Sequence, residues 1–82
     1  MKKEITVTST SVYDPRALAE LVGLANGYAS KVIMVMDNRS VNAKSIRGIM
    51  GLGLDQGKQV TLDVEGTDAE EAIVAIEEFL NK

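Results

Sequence analysis

An open two-layer α+β domain is the fold class this sequence predicts, and three observations carry that reading. Short stretches of period-two alternation are interleaved with segments of helical spacing, and the elements follow one another as β-α-β-β-α-β-α. A chain of 82 residues builds one core, so residues 1–82 are expected to form a single domain. In that order the helices segregate onto one face of a mainly antiparallel sheet.

From Lys3 to Thr8, Ile5 and Val7 alternate with Glu4, Thr6 and Thr8, which predicts a strand with one buried face. Ser9-Thr10-Ser11 reads as a polar loop. The first helix begins at Asp14-Pro15, where aspartate accepts from free amides at the N-cap and proline has no amide to leave unpaired. Leu18, Leu21, Val22 and Ala25 follow at helical spacing, and Asn26-Gly27 supplies the stop.

Val32 to Met36 is a continuous apolar run, short and β-branched enough for an interior strand. Asp37-Asn38 suits a tight turn because both residues tolerate left-handed geometry, and Ser40 to Ala43 would return as the hairpin partner. Ser45 can cap a short second helix with Ile46, Ile49 and Met50 on one side. Gly48 and Gly51 each cost that helix about 1 kcal/mol relative to alanine, so it must depend on tertiary contacts. Val60, Leu62 and Val64 then alternate with Thr61, Asp63 and Glu65 until Gly66. Thr67 and Glu70 match a capping box, and Ala69, Ala72, Ile73, Ile76 and Leu80 draw one apolar stripe along the closing helix.

Composition removes several function classes. The chain has no cysteine and no histidine, which excludes disulfide scaffolds, thiol nucleophiles, zinc fingers and histidine acid–base catalysis. A formal charge of -3 with Tyr13, Tyr28 and Phe79 as the sole aromatics argues against a nucleic-acid partner, which requires a basic stripe. No apolar run approaches the roughly 20 residues of a membrane span, and Met1-Lys2-Lys3-Glu4 opens no signal peptide. A cytoplasmic protein is expected, without a membrane partner, a cofactor or a metal.

Lys44-Ser45-Ile46 with Gly48, set within Val41-Asn42-Ala43 and Leu54-Asp55-Gln56-Gly57, and the run from Glu65-Gly66-Thr67 to Ala72 resemble the HPr family, the small carriers of the bacterial sugar phosphotransferase system. The likeness covers essentially the whole chain. It implies an HPr-like open-faced sandwich, a four-stranded antiparallel sheet in the order 1-4-2-3 with three helices on one face. The phosphocarrier motif of the family reads Gly-x-His-Ala-Arg-Pro. Counted back from Ser45 without gaps, that motif falls on Val12-Tyr13-Asp14-Pro15-Arg16-Ala17. Arg16 keeps the arginine position, Asp14 stands at the histidine position, Pro15 at the alanine position and Ala17 at the proline position.

Three roles stand open for Asp14: a plain N-cap, a fixed charge imitating phosphohistidine, or a phosphoryl acceptor. An ionised aspartate repels the incoming anion, and aspartyl phosphorylation ordinarily recruits Mg²⁺ through further carboxylates, which do not flank Asp14 in sequence. Ser45 matches the serine that HPr kinase phosphorylates in many Gram-positive bacteria, and the alternative is a simple N-cap. Arg47 stands where the family commonly has methionine; it either pairs with a phosphate or an acidic partner, or is a solvated cation opposed by the helix dipole. Ile46 and Met50 either pack or form the apolar part of a docking patch, with Arg16 contributing a cation.

The resemblance therefore implies a non-enzymatic regulatory module similar to catabolite repression HPr, a branch that also lacks the active histidine. Its implied partners are HPr kinase/phosphorylase and a catabolite control regulator, in preference to enzyme I and sugar-specific enzyme II components. A divergent phosphocarrier using Asp14 or another acceptor in phosphoryl relay, and an HPr-fold scaffold with an unrelated partner, are the alternatives.

Overall fold

The alternation of Val60, Leu62 and Val64 with Thr61 and Asp63 fixes which side of the sheet faces the helices, and Val32, Met34 and Met36 of the neighbouring central strand are buried on that side. The computed structural model describes residues 1–10 and 14–82. Strands β1 (Lys2–Thr6), β2 (Lys31–Met36), β3 (Arg39–Asn42) and β4 (Gln59–Glu65) make one antiparallel sheet ordered β1-β4-β2-β3. Met34 lies between Leu62 and Val41, and Val32 lies opposite Val64, so these side chains point into one core. Ile33, Val35, Thr61 and Asp63 occupy the other face, where they are half-buried. This is the fold of the HPr resemblance.

Helices α1 (Pro15–Asn26), α2 (Ile46–Leu52) and α3 (Ala69–Leu80) complete the core. The predicted stripes hold: Leu18, Leu21 and Ala25 of α1 are buried with Val22 half-buried beside them, and all five stripe residues of α3 are buried. At the hairpin, Asp37 and Asn38 have φ of 51° and 66°. Two consecutive left-handed residues make the turn whose twist suits a two-residue hairpin.

The structure departs from expectation at three places. The β1 ladder ends at Thr6, because the following segment turns toward α3: Val7 still donates to the Lys58 carbonyl, but the Thr8 and Ser9 amides both donate to Leu80 O at 3.0 Å. Ser9 is consequently buried, and not part of a solvated loop; Ser11, which the predicted loop included, lies outside the described residues with Val12 and Tyr13. Strand β3 starts and ends one residue earlier than expected, while the Ala43 amide still reaches Val32 O at 2.9 Å.

The third departure is the capping box. The N-cap of α3 is Asp68, not Thr67, and no side chain caps the helix. The Asp68 carboxylate instead accepts from the Ala29 amide at 2.8 Å, the Ser30 amide at 2.9 Å and the Ser30 hydroxyl. The Ser30 hydroxyl, followed by the Ala29 amide, holds this carboxyl below the ordinary value of 3.8 against a smaller desolvation effect. A long-range partner has thus outcompeted the local cap. Gly66 permits the approach: its φ is 150°, and a Cβ there would sit 2.3 Å from Ser30 Oγ.

Candidate functional site

The two helix starts singled out from the sequence are built differently. At α1, Asp14 has extended backbone (φ -64°, ψ 131°) and accepts from the Arg16 amide at 2.9 Å, with Pro15 in the first turn. Its carbonyl accepts from the Leu18 amide at 2.9 Å. Asp14 and Arg16 are both exposed. The carboxylate therefore performs the N-cap role expected of it.

At α2, Ser45 (φ -107°, ψ 119°) accepts from the Gly48 amide at 3.3 Å and is half-buried. The helix has seven residues, too few to be stable alone. Four contacts outside the helix hold it and the turn that precedes it. Asn26 at the end of α1 donates to Lys44 O at 3.1 Å, and Lys44 Nζ donates to Tyr28 O at 2.8 Å. Arg39 of β3 donates to the Gly51 carbonyl at 3.0 Å and the Leu52 carbonyl at 2.7 Å, placing a cation at the negative end of the helix dipole. Gly48 lets the helix lie close to β3, since a Cβ there would be 3.1 Å from Val41 Cβ.

Burial divides the apolar side of α2. Ile49 and Leu52 are fully buried, whereas Ile46 is 39% and Met50 54% exposed. A seven-residue helix flanked by β3 and α1 buries a narrower face than a stripe through Ile46, Ile49 and Met50 requires. Ser45, Ile46, Arg47 and Met50 are left as a contiguous surface with a hydroxyl, a cation and two apolar side chains. Arg47 and Arg16 are exposed, and neither has a carboxylate partner among the described residues. No hydrogen bond or ion pair among the described residues joins the Asp14–Arg16 pair to the Ser45 surface.

Sequence reasoning missed Arg39, Lys44 Nζ and Asn26, because their partners are backbone carbonyls of distant elements that leave no local pattern. The glycine at position 48 was the available signal, since a helix glycine often marks a close backbone approach. Among the described residues, no three or more His, Cys, Asp or Glu side chains gather into a group that could hold a metal ion, and no helix is long and apolar enough to cross a membrane.

The family model described as the PTS HPr component phosphorylation site matches residues 1–82. The chain belongs to the HPr family. It is 35% identical to the HPr-like protein Crh of Halalkalibacterium halodurans over 82 residues, covering 100% of this chain and 98% of that protein. The crystal structure of the phosphocarrier protein HPr from Bacillus anthracis superposes with a TM-score of 0.94 at 34% identity, covering 99% of this chain and 96% of the other. The solution structure of Crh, the Bacillus subtilis catabolite repression HPr, gives a TM-score of 0.74 at 32% identity over 100% and 98% of the two chains. An HPr-family chain with no histidine is thus similar over its length both to carriers and to catabolite repression HPr.

Proposed function

We propose that this HPr-family chain is a cytoplasmic regulatory interaction module, itself no enzyme, whose state is set by phosphorylation of Ser45. The observation that carries the reading is the pairing of a half-buried N-cap serine with exposed Ile46 and Met50 on a helix held from outside, in a chain lacking the histidine of the phosphocarrier motif. An HPr kinase/phosphorylase would transfer the γ-phosphoryl group of ATP to Ser45 Oγ, forming an O–P bond and releasing ADP and the hydroxyl proton. The product adds about -1.5 to -2 charges beside the first amides of α2, where anions are stabilised by about 0.3–1 kcal/mol. Arg47 and Arg16 are cations free to meet that phosphate or an acidic partner. Ile46 and Met50 supply the apolar contact for a catabolite control regulator, methionine adapting readily to varied surfaces.

The carrier alternative is disfavoured by Asp14 itself. Its carboxylate already serves the Arg16 amide, and an ionised carboxylate repels phosphoryl donors. The test is intact-mass analysis after incubation with HPr kinase/phosphorylase and ATP. One added phosphate, located at Ser45 and absent from Ser45→Ala, is expected; an unmodified protein removes the reading.

A further inference from the structure

The outer groove between α1 and α3 is lined by none of Ser45, Ile46, Arg47 and Met50. The two helices run antiparallel there, Leu24 facing Ala75 and Phe79 while Tyr28 lies toward Glu71 and Val74. Two open hollows of about 360 and 450 Å³ follow one another along it, sharing Ala75 and Glu78 as wall. From Glu70 to Leu80 the helix alongside it runs about 15 Å at the helical rise per residue. Its floor is apolar: Leu24, Tyr28 and Phe79 are only partly buried, and Val74 is 53% exposed at its edge.

The rim is acidic. Glu20, Glu70, Glu71 and Glu78 line the hollows, and the ion pairs among the described residues, Lys3–Glu77 and Lys58–Asp37, neutralise none of them. Glu70 and Glu71 sit in the first turn of α3, where the helix dipole favours them. That explanation fails for Glu78, which lies near the C-terminal end where a carboxylate is disfavoured. Lys82 also lines the first hollow, its Nζ 5.0 Å from the centroid of the Phe79 ring in a cation–π contact, so one cation of the chain already stands beside Glu20 and Glu78 and leaves the four glutamates in excess.

We propose that this groove docks a lysine- or arginine-bearing amphipathic helix of a partner protein. The apolar ridge of that helix would lie on Leu24, Ala75 and Phe79, and its cations would meet the glutamates on both rims. An apolar floor between carboxylates complements a segment with cations on both sides of its apolar stripe. It disfavours acidic segments and nucleic acid. Neither hollow is lined by Ser45, Ile46, Arg47 or Met50, while the Tyr28 carbonyl at one end accepts from Lys44 Nζ at 2.8 Å.

The test titrates the ¹⁵N-labelled full chain with an amidated Leu/Lys amphipathic peptide of about 14 residues, enough for about 20 Å of helix. Controls are a peptide of the same composition with its order scrambled and a Leu/Glu analogue. Amide shifts are expected along residues 20–28 and 70–82, weakening as salt rises. The double variant Glu71→Gln, Glu78→Gln should raise the dissociation constant about fivefold, with circular dichroism confirming an intact fold. Equal binding of the scrambled peptide, shifts centred on Ile46 and Met50, no shifts at all, or occupation of the groove by a second copy of the chain would each overturn the proposal.

Discussion

At the start of α1 a carboxylate caps a twelve-residue helix that carries its own buried stripe, whereas at the start of α2 a hydroxyl caps seven residues that include two glycines. Both caps satisfy one amide in the first turn. Their foundations differ: α1 rests on its packing, while α2 is held by Arg39, by Gly48 against Val41 and by the Lys44–Tyr28 and Asn26–Lys44 bonds. A short helix held from outside keeps its apolar side chains Ile46 and Met50 in view. The two caps are alike; the support behind them and the surface beside them differ.

Removing the packing under α2 should have the largest effect. Ile49→Ala should cost about 2–4 kcal/mol in urea unfolding and strip hydrogen-exchange protection from α2 before α1. Arg39→Met comes next, at about 1–2 kcal/mol, since two backbone carbonyls lose a charged donor. Amides of 46–52 should then exchange faster while those of 18–26 keep their rates. Equal acceleration in both helices would show that α2 does not depend on Arg39. Asp14→Ala should cost about 1 kcal/mol as a lost N-cap, and Ser45→Ala no more than that, because its bond to the Gly48 amide is long at 3.3 Å.

The two glycines of α2 sharpen the contrast within one helix. A Cβ at Gly51 would meet nothing within 4 Å, so Gly51→Ala should raise stability by about 0.5–1 kcal/mol. Gly48→Ala should gain less or lose, because Val41 must yield; thermal unfolding of the pair reads the difference.

The third helix start supplies a pH test. Asp68 has its carboxyl lowered by the Ser30 hydroxyl and the Ala29 amide. A depressed carboxyl contributes stability that is present above its unfolded value and lost as pH falls through the folded one. Urea midpoints should accordingly hold steady from this source down to about pH 4 and fall below it, and Asp68→Asn should remove that part of the fall.

Much of this was legible beforehand because local rules and tertiary structure agree. Period-two alternation located β4, Asp37-Asn38 located the hairpin, and Asp14-Pro15 located the start of α1. The capping box failed where Asp68 found better partners in Ala29 and Ser30, 39 and 38 residues away in sequence and invisible to local pattern. On α2 the sequence left open whether Ile46 and Met50 pack or stand exposed. Helical spacing says which side chains share a face, but the neighbours β3 and α1 decide how much of that face is covered. Ser45, Ile46, Arg47 and Met50 were legible as a group through the resemblance; the Arg39 clamp that holds them was not.

The proposed function puts phosphate chemistry at the start of α2 and none at the start of α1. The direct measurement presents the protein in parallel to enzyme I with phosphoenolpyruvate and to HPr kinase/phosphorylase with ATP, followed by intact mass, site location and hydroxylamine treatment. One hydroxylamine-stable phosphate on Ser45 in the kinase reaction, with none in the enzyme I reaction, is the expected result. A hydroxylamine-labile phosphate on Asp14 from phosphoenolpyruvate, with Ser45 unmodified, would contradict it.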